Sequence, residues 1–208
     1  MTGADAPWTW RLDPAGGGGA FADLGSHAVA AARFLVGPIA EVLAASRTAV
    51  RERPLAGSAT ERRTVEVDDM TRASLRFENG ATGSLEANWM ATGRKMSHDF
   101  EVYGSKGALA FSGERLNQIE LYLTSDPAGR QGFRTIHAGP EHEPYGAFCV
   151  APGHQLGFND LKAIEIRDFL GAVAGRGPGG PDFREGYEVQ RVVETVYASA
   201  REGRWLSV

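Results

Sequence analysis

The chain has 208 residues, a net charge of −4 and a single cysteine, enough for one domain with a substantial core or at most one and a half. The acidic balance, with its 22 basic residues scattered, gives no electrostatic reason to bind nucleic acid or an anionic membrane surface. Cys149 alone excludes an internal disulfide and any cysteine-built zinc site; no apolar run reaches membrane-spanning length, and MTGADAPWTW has neither the basic start nor the apolar stretch of a secretion signal, so a soluble, cytoplasmic protein is expected.

Four glycines, Gly16 to Gly19, run into an amphipathic segment that Gly37-Pro38 ends. Glycine is cheap where backbone turns sharply and costly inside a helix. The pattern therefore predicts a flexible entry and a helix from about Ala20 to Val36. Asp23 and His27, four residues apart, fall on one helical face within mutual hydrogen-bond reach. A carboxylate beside an imidazole is a competent acid/base unit. The same spacing also serves a plain surface pair, and an Asp in a first turn complements the helix dipole.

Alternation then predicts strands over Ile39 to Val50 and Val65 to Phe77, separated by an exposed polar loop, RERPLAGSATERR. Glu78-Asn79-Gly80 marks a hairpin into ATGSLEANW, and Ser105-Lys106 marks a second, between HDFEVYG and GALAF. Asn117 to Leu123 and Gly132 to His137 read as further strands, and Gly139 to Phe158 as a Gly/Pro-rich loop of functional length. Asn159 or Asp160 can cap a helix to about Ala174 with Leu161, Ile164, Ile166, Phe169 and Leu170 as its apolar set. After GRGPGGP, Glu185 to about Arg201 carries Val189, Val192, Val193, Val196, Tyr197 and Ala200 at the spacing of a buried stripe. The expected class is α+β: one mainly antiparallel open sheet, helices from both chain ends on one face, and an apolar other face serving as an interface.

Trp8-Thr9-Trp10-Arg11 followed by GGGGAFADLGSHAVAAARFLVGPIAEV resembles the opening of the C-terminal domain of the glucose–fructose oxidoreductase / inositol dehydrogenase / MocA family. The tail, AIEIRDFLGAVAGRGPGGPDFREGYEVQRVVETVYASAREGRWLSV, is similar to the way those chains finish, so the resemblance covers nearly the whole chain. It implies a substrate-binding and oligomerising domain whose open sheet pairs with a copy of itself. It also implies catalytic roles for Asp23 and His27 and a sugar, inositol or related polyol as substrate, with NAD(P) as cofactor of the complete enzyme.

The chain lacks the strand–glycine turn–helix unit that holds a dinucleotide: Gly16 to Gly19 do not match G-x-G-x-x-G and follow no strand. The family's lysine, in a Glu-Lys-Pro element of its nucleotide domain, is also missing, since Lys95, Lys106 and Lys162 lie in other contexts. The expectation is that no dinucleotide binds this chain alone, and that a separate Rossmann-domain partner or a longer chain supplies it. Two other readings stay open, a cofactor-free lyase or isomerase using Asp23 and His27, and a non-catalytic assembly module.

Further candidates for substrate contact are Trp10 and Arg11 beside the glycines, Arg94, Lys95 and Met96 in the loop before SHDFEVYG, and His154 in the long Gly/Pro loop. Arg11 suits a substrate carboxylate or hydroxyl, or equally a surface salt bridge. His137, Glu141, His142 and Glu143 match no ligand spacing with a defined geometry, so no metal is expected.

Overall fold

A computed structural model describes residues 3, 5–58 and 60–208. Met1, Thr2 and Ala4, in the stretch read for a secretion signal, and Ala59, in the polar loop, lie outside the described residues. The chain packs as two compact units, one of residues 1–93 and 181–208, the other of residues 94–180.

In the first unit the expected helix opens with a π turn, Phe21–Gly25, before the α-helix α1, Ser26–Val36. Gly37, at φ 125°, ends it as the Gly-Pro pair predicts. Strands β1 (Ile39–Arg47), β4 (Met70–Phe77) and β5 (Thr82–Asn88) form an antiparallel sheet, with the hairpin expected at Asn79-Gly80 between β4 and β5. Gly80 sits at φ 86°, a conformation that L side chains rarely adopt. The two-residue strand β10 (Leu206–Ser207) adds to the outer edge of β1, giving the order β10-β1-β4-β5.

The polar loop is not wholly irregular. Glu52–Pro54 (β2) and Arg62–Thr64 (β3) pair as a short ribbon, too brief to carry a readable alternation. The strand expected from Val65 begins only at Met70, because the two acidic residues before it serve as internal caps. Buried Asp69 accepts the Ala49 and Val50 N–H groups at 2.7 and 2.8 Å, and its other oxygen lies 3.7 Å from the buried Arg53 guanidinium.

Helix α3, Phe183–Glu202, starts on Asp182, whose carboxylate accepts the Glu185 N–H at 2.9 Å, and ends at Gly203 in the left-handed region. Its stripe behaves as read: Val192, Val193 and Val196 are buried, with Val189, Tyr197 and Ala200 partly so. They pack with Phe21 and α1 Val29 against Val42, Ala73, Leu75, Phe77 and Ala87 of the sheet, so helices from both ends of the chain share one face.

The opposite face of this sheet corrects the expectation of an apolar surface. The inward set is Ala73, Leu75 and Phe77, and their alternates Arg72, Ser74 and Arg76 point outward. Arg72 pairs with Glu86 at 2.7 Å and Arg76 with Glu41 at 2.8 Å, while Arg76 also lies over the Trp205 ring. Around these ion pairs only Leu43 and Ala45 are apolar on the outer face of β1.

The second unit holds another antiparallel sheet of four, β6 (Phe100–Gly104), β7 (Gly107–Phe111), β8 (Gln118–Leu123) and β9 (Arg134–His137), in sequence order. Gly104 pairs with Gly107 around the Ser105-Lys106 tip, as the sequence predicts. The single sheet expected is thus two sheets of four and a ribbon, within the expected α+β class. Helix α2, Phe158–Val173, is held at its start by Asp160, which accepts the Gly157 N–H at 2.7 Å. None of its residues is buried, and Ile166, Phe169 and Leu170 are all more than half exposed, so the apolar set read there is not a core stripe. Among the described residues no helix is long and apolar enough to cross a membrane.

Candidate functional site

The DLGSH segment occupies the junction between the π turn and α1. Ser26 N–H bonds to the Phe21 carbonyl, an i→i+5 bond that puts one more residue into the turn than an α-helix allows. Gly25 makes this wide turn possible: a Cβ there would lie 2.6 Å from the Phe21 ring. Residues four apart across such a junction no longer stack as they do in a regular helix. Accordingly no hydrogen bond or ion pair joins Asp23 to His27, which departs from the contact that their spacing predicts.

Asp23 instead faces Arg11, with Arg11 Nε 3.3 Å from its carboxylate, and the Arg11 guanidinium stacks 4.5 Å from the centre of the Trp10 ring. Trp10 is 59% exposed. It lies in a short 3₁₀ turn, Trp10–Leu12, anchored by buried Leu12. His27 is exposed at the start of α1, and its ring has no hydrogen-bond partner among the described residues. Four of the candidates read from sequence, Trp10, Arg11, Asp23 and His27, therefore belong to one segment of the first unit, three of them in direct contact.

That grouping has chemical consequences. One nitrogen engages a carboxylate that has about four acceptor positions, so Asp23 keeps capacity to accept from hydroxyls. Arg11 retains further donors, the open Trp10 ring offers an apolar platform, and the His27 imidazole offers ring nitrogens that can donate or accept a hydrogen bond. An aromatic face flanked by charged donors and acceptors suits a hydroxyl-rich ring, whose C–H face is apolar and whose edge is polar.

Sequence reading missed the support beneath this segment. Asp68, 5% exposed, accepts from the Phe21 N–H at 3.1 Å and the Thr71 hydroxyl at 2.6 Å through one oxygen, and from the Tyr197 hydroxyl at 2.8 Å through the other. Its carbonyl accepts the Ala20 N–H at 3.0 Å, and the Tyr197 oxygen accepts the Ala22 N–H at 3.0 Å. Burial, then the Asp68 charge, pushes the Tyr197 phenol well above its ordinary range, so it stays a neutral donor. The only signals in the sequence were an acidic pair inside an alternating run and a tyrosine in an apolar stripe, neither of which names its partner.

The glycine run does not fit a dinucleotide. A pyrophosphate needs open N–H groups at a helix start. Here the Ala20, Phe21, Ala22 and Asp23 N–H groups are engaged by Asp68, Asp68, Tyr197 and Gly19. Gly19, at φ 125°, is where the chain passes the Asp68–Tyr197 pair, and a Cβ there would lie 2.4 Å from the phenol oxygen.

The remaining candidates belong to the second unit. Arg94 pairs with Glu114 at 3.1 Å, the Lys95 N–H bonds to the same carboxylate at 2.8 Å, and Met96 is 52% exposed. His154 is exposed, and its carbonyl accepts from the Cys149 thiol at 3.0 Å. His142 Nδ1 accepts the Gly139 N–H, a loop-closing bond. Among the described residues no three His, Cys, Asp or Glu side chains come together as a metal site.

Residues 2–110 match the family model described as the GFO/IDH/MocA C-terminal domain. The chain is 35% identical to a levoglucosan dehydrogenase of Pseudarthrobacter phenanthrenivorans over 98% of its own length and 55% of that protein's. Among solved structures, the complex of levoglucosan dehydrogenase with NADH and levoglucosan superposes with a TM-score of 0.93 at 35% identity, covering all of this chain and 55% of that one. An NAD binding oxidoreductase from Klebsiella pneumoniae gives 0.93 at 36%, with the same coverage. The chain thus spans about half the length of the relatives it matches, and it belongs to the GFO/IDH/MocA family, corresponding to the C-terminal domain.

Proposed function

We propose that this chain is the substrate-binding part of an NAD(P)-dependent oxidoreductase acting on a secondary alcohol or ketone of a sugar, inositol or related polyol, with the dinucleotide-binding part supplied elsewhere. The observation that carries the reading is the Trp10–Arg11–Asp23 contact, in the same segment as a His27 ring without a hydrogen-bond partner among the described residues, on a helix start whose N–H groups are already engaged. NAD for the complete enzyme is supported by relatives described as bound to NADH. A cytoplasmic location is supported by the lone buried thiol.

Oxidation of a carbinol removes the hydroxyl proton and, from the carbon, a hydride, which NAD(P) would accept when bound. His27 takes that proton, while Asp23 and Arg11 hold neighbouring hydroxyls and Trp10 covers the apolar face of the ring. A positioned base contributes roughly 10²- to 10⁴-fold to such a step. Arg94, Lys95, Met96 and His154, which all belong to the second unit, are kept as separate candidates for substrate contact. We also propose a homo-oligomer joined through the outer face of the first sheet. Arg72–Glu86 and Arg76–Glu41 give that face self-complementary charge rather than the apolar surface first expected.

The test is a fusion of this chain to the part of levoglucosan dehydrogenase outside the matched region, assayed for NADH formation with levoglucosan, monosaccharides and inositol. Turnover of at least one of them, lost on His27→Ala or Asp23→Ala, supports the reading. A folded fusion inactive toward all of them, or active with both substitutions in place, overturns it. Light scattering that finds a stable monomer at micromolar concentration overturns the oligomer.

A further inference from the structure

We propose that Asp68 and Tyr197 are positioning residues that set the π turn beneath Asp23, acting as an external cap for a helix whose own flanking chain provides no side-chain cap. This deepens the function proposed above and rests on it for its catalytic meaning, though not for its structural content.

A helix start leaves its first N–H groups without partners, and the usual remedy is a Ser, Thr, Asp or Asn immediately before it. Here the preceding residues are glycines and Ala20, and no cap side chain comes from that segment. The donors are satisfied from residues far away in sequence. Phe21 N–H reaches Asp68, 47 positions on, and Ala22 N–H reaches Tyr197, 175 positions on. Asp68 and Tyr197 are themselves joined at 2.8 Å, and Thr71 fixes the second Asp68 oxygen at 2.6 Å. The cap is thus one connected network. A fully partnered buried network specifies one geometry, because any shift leaves a desolvated polar group without its partner.

Two glycines permit this geometry. Without a side chain, Gly19 lets the chain cross the Asp68–Tyr197 bond, where a Cβ would come within 2.4 and 2.5 Å of its two oxygens. Gly25 lets the Phe21 ring fold under the turn, where that ring also meets Tyr197 edge-on at 6.1 Å between centroids. The next residue along from the Tyr197-bonded Ala22 is Asp23. The position of its carboxylate against Arg11 therefore follows from the cap.

The test compares Tyr197→Phe with Val196→Ala, a neighbouring substitution in the same helix that lowers core stability without touching the network. In the unmodified chain, hydrogen exchange at the Ala22 and Asp23 amides is expected to speed up at least ten-fold in Tyr197→Phe beyond any change seen in Val196→Ala. Equal exchange in the two variants overturns the proposal, whatever the enzyme does. In the fusion described above, kcat is expected to fall about ten-fold or more in Tyr197→Phe with KM within about two-fold, and to stay near parental in Val196→Ala. Parental kcat in Tyr197→Phe also overturns it. If the parental fusion is inactive, the function proposed above fails, while the exchange measurement still decides the cap.

Discussion

The Arg11 guanidinium and the Asp23 carboxylate, brought to 3.3 Å by a 3₁₀ turn and a π turn, form an ion pair that is 44% and 33% exposed on its two sides. Such a pair contributes less than about 1 kcal/mol to folding, because solvent screens it. The function proposed above places its effect in binding. Arg11→Ala is expected to change the thermal midpoint by no more than a few degrees. It is also expected to weaken sugar binding, measured by ligand-observed NMR, by at least five-fold. Unchanged binding would place Arg11 outside the site.

Gly19 and Gly17 both have positive φ, yet they predict different outcomes. At Gly17 a Cβ meets nothing, so Gly17→Ala costs only the conformational strain of about 1 kcal/mol. At Gly19 the added carbon would also collide with Tyr197 and Asp68, and Gly19→Ala is expected to cost about 3 kcal/mol or more. Urea unfolding of the two variants checks the ordering.

Phe21 is fully buried between the π turn and α3. Phe21→Ala leaves a cavity and is expected to cost about 3–5 kcal/mol. Phe183 is fully exposed, and Phe183→Ala is expected to leave stability within about 0.5 kcal/mol. The same unfolding experiment compares them directly.

The hydrogen-bonded Arg33 guanidinium holds the Glu185 carboxyl below its ordinary range. A depressed carboxylate contributes stability that is present above its unfolded pKa, near 4.3, and is lost as pH falls through the folded value. Glu185 is 38% exposed, so the contribution stays below about 1 kcal/mol. Glu185→Gln is expected to lower stability slightly at neutral pH and to flatten the decline below about pH 4, read from denaturant midpoints across pH.

Tyr197 predicts the opposite limb. Burial and the neighbouring Asp68 raise its phenol, so its contribution is complete below the unfolded pKa of about 10 and is lost as pH rises beyond that. Tyr197→Phe is expected to show a shallower alkaline decline than the parent between about pH 9 and 11, with the two curves parallel near pH 7. Identical alkaline slopes would contradict the burial of this phenol.

Periodicity and turn chemistry, being local, made several elements readable from sequence alone. The α3 stripe, the Asn79-Gly80 and Ser105-Lys106 hairpins, and the Gly37-Pro38 stop are all dictated by residues within a few positions of one another. The sequence also placed Trp10, Arg11, Asp23 and His27 in one segment beside the glycines. Tertiary structure alone decided how that segment is shaped. Whether four-residue spacing stacks two side chains depends on the helix being regular, and Gly25 with the Phe21 ring beneath it makes the turn a π turn. Which strand residues face the helices depended on burial, so the alternates Arg72, Ser74 and Arg76 became the outer face. The cap on the site helix joins residues 47 and 175 positions apart. No local pattern encodes such a contact, since it exists only once β4 and α3 have packed around the same turn.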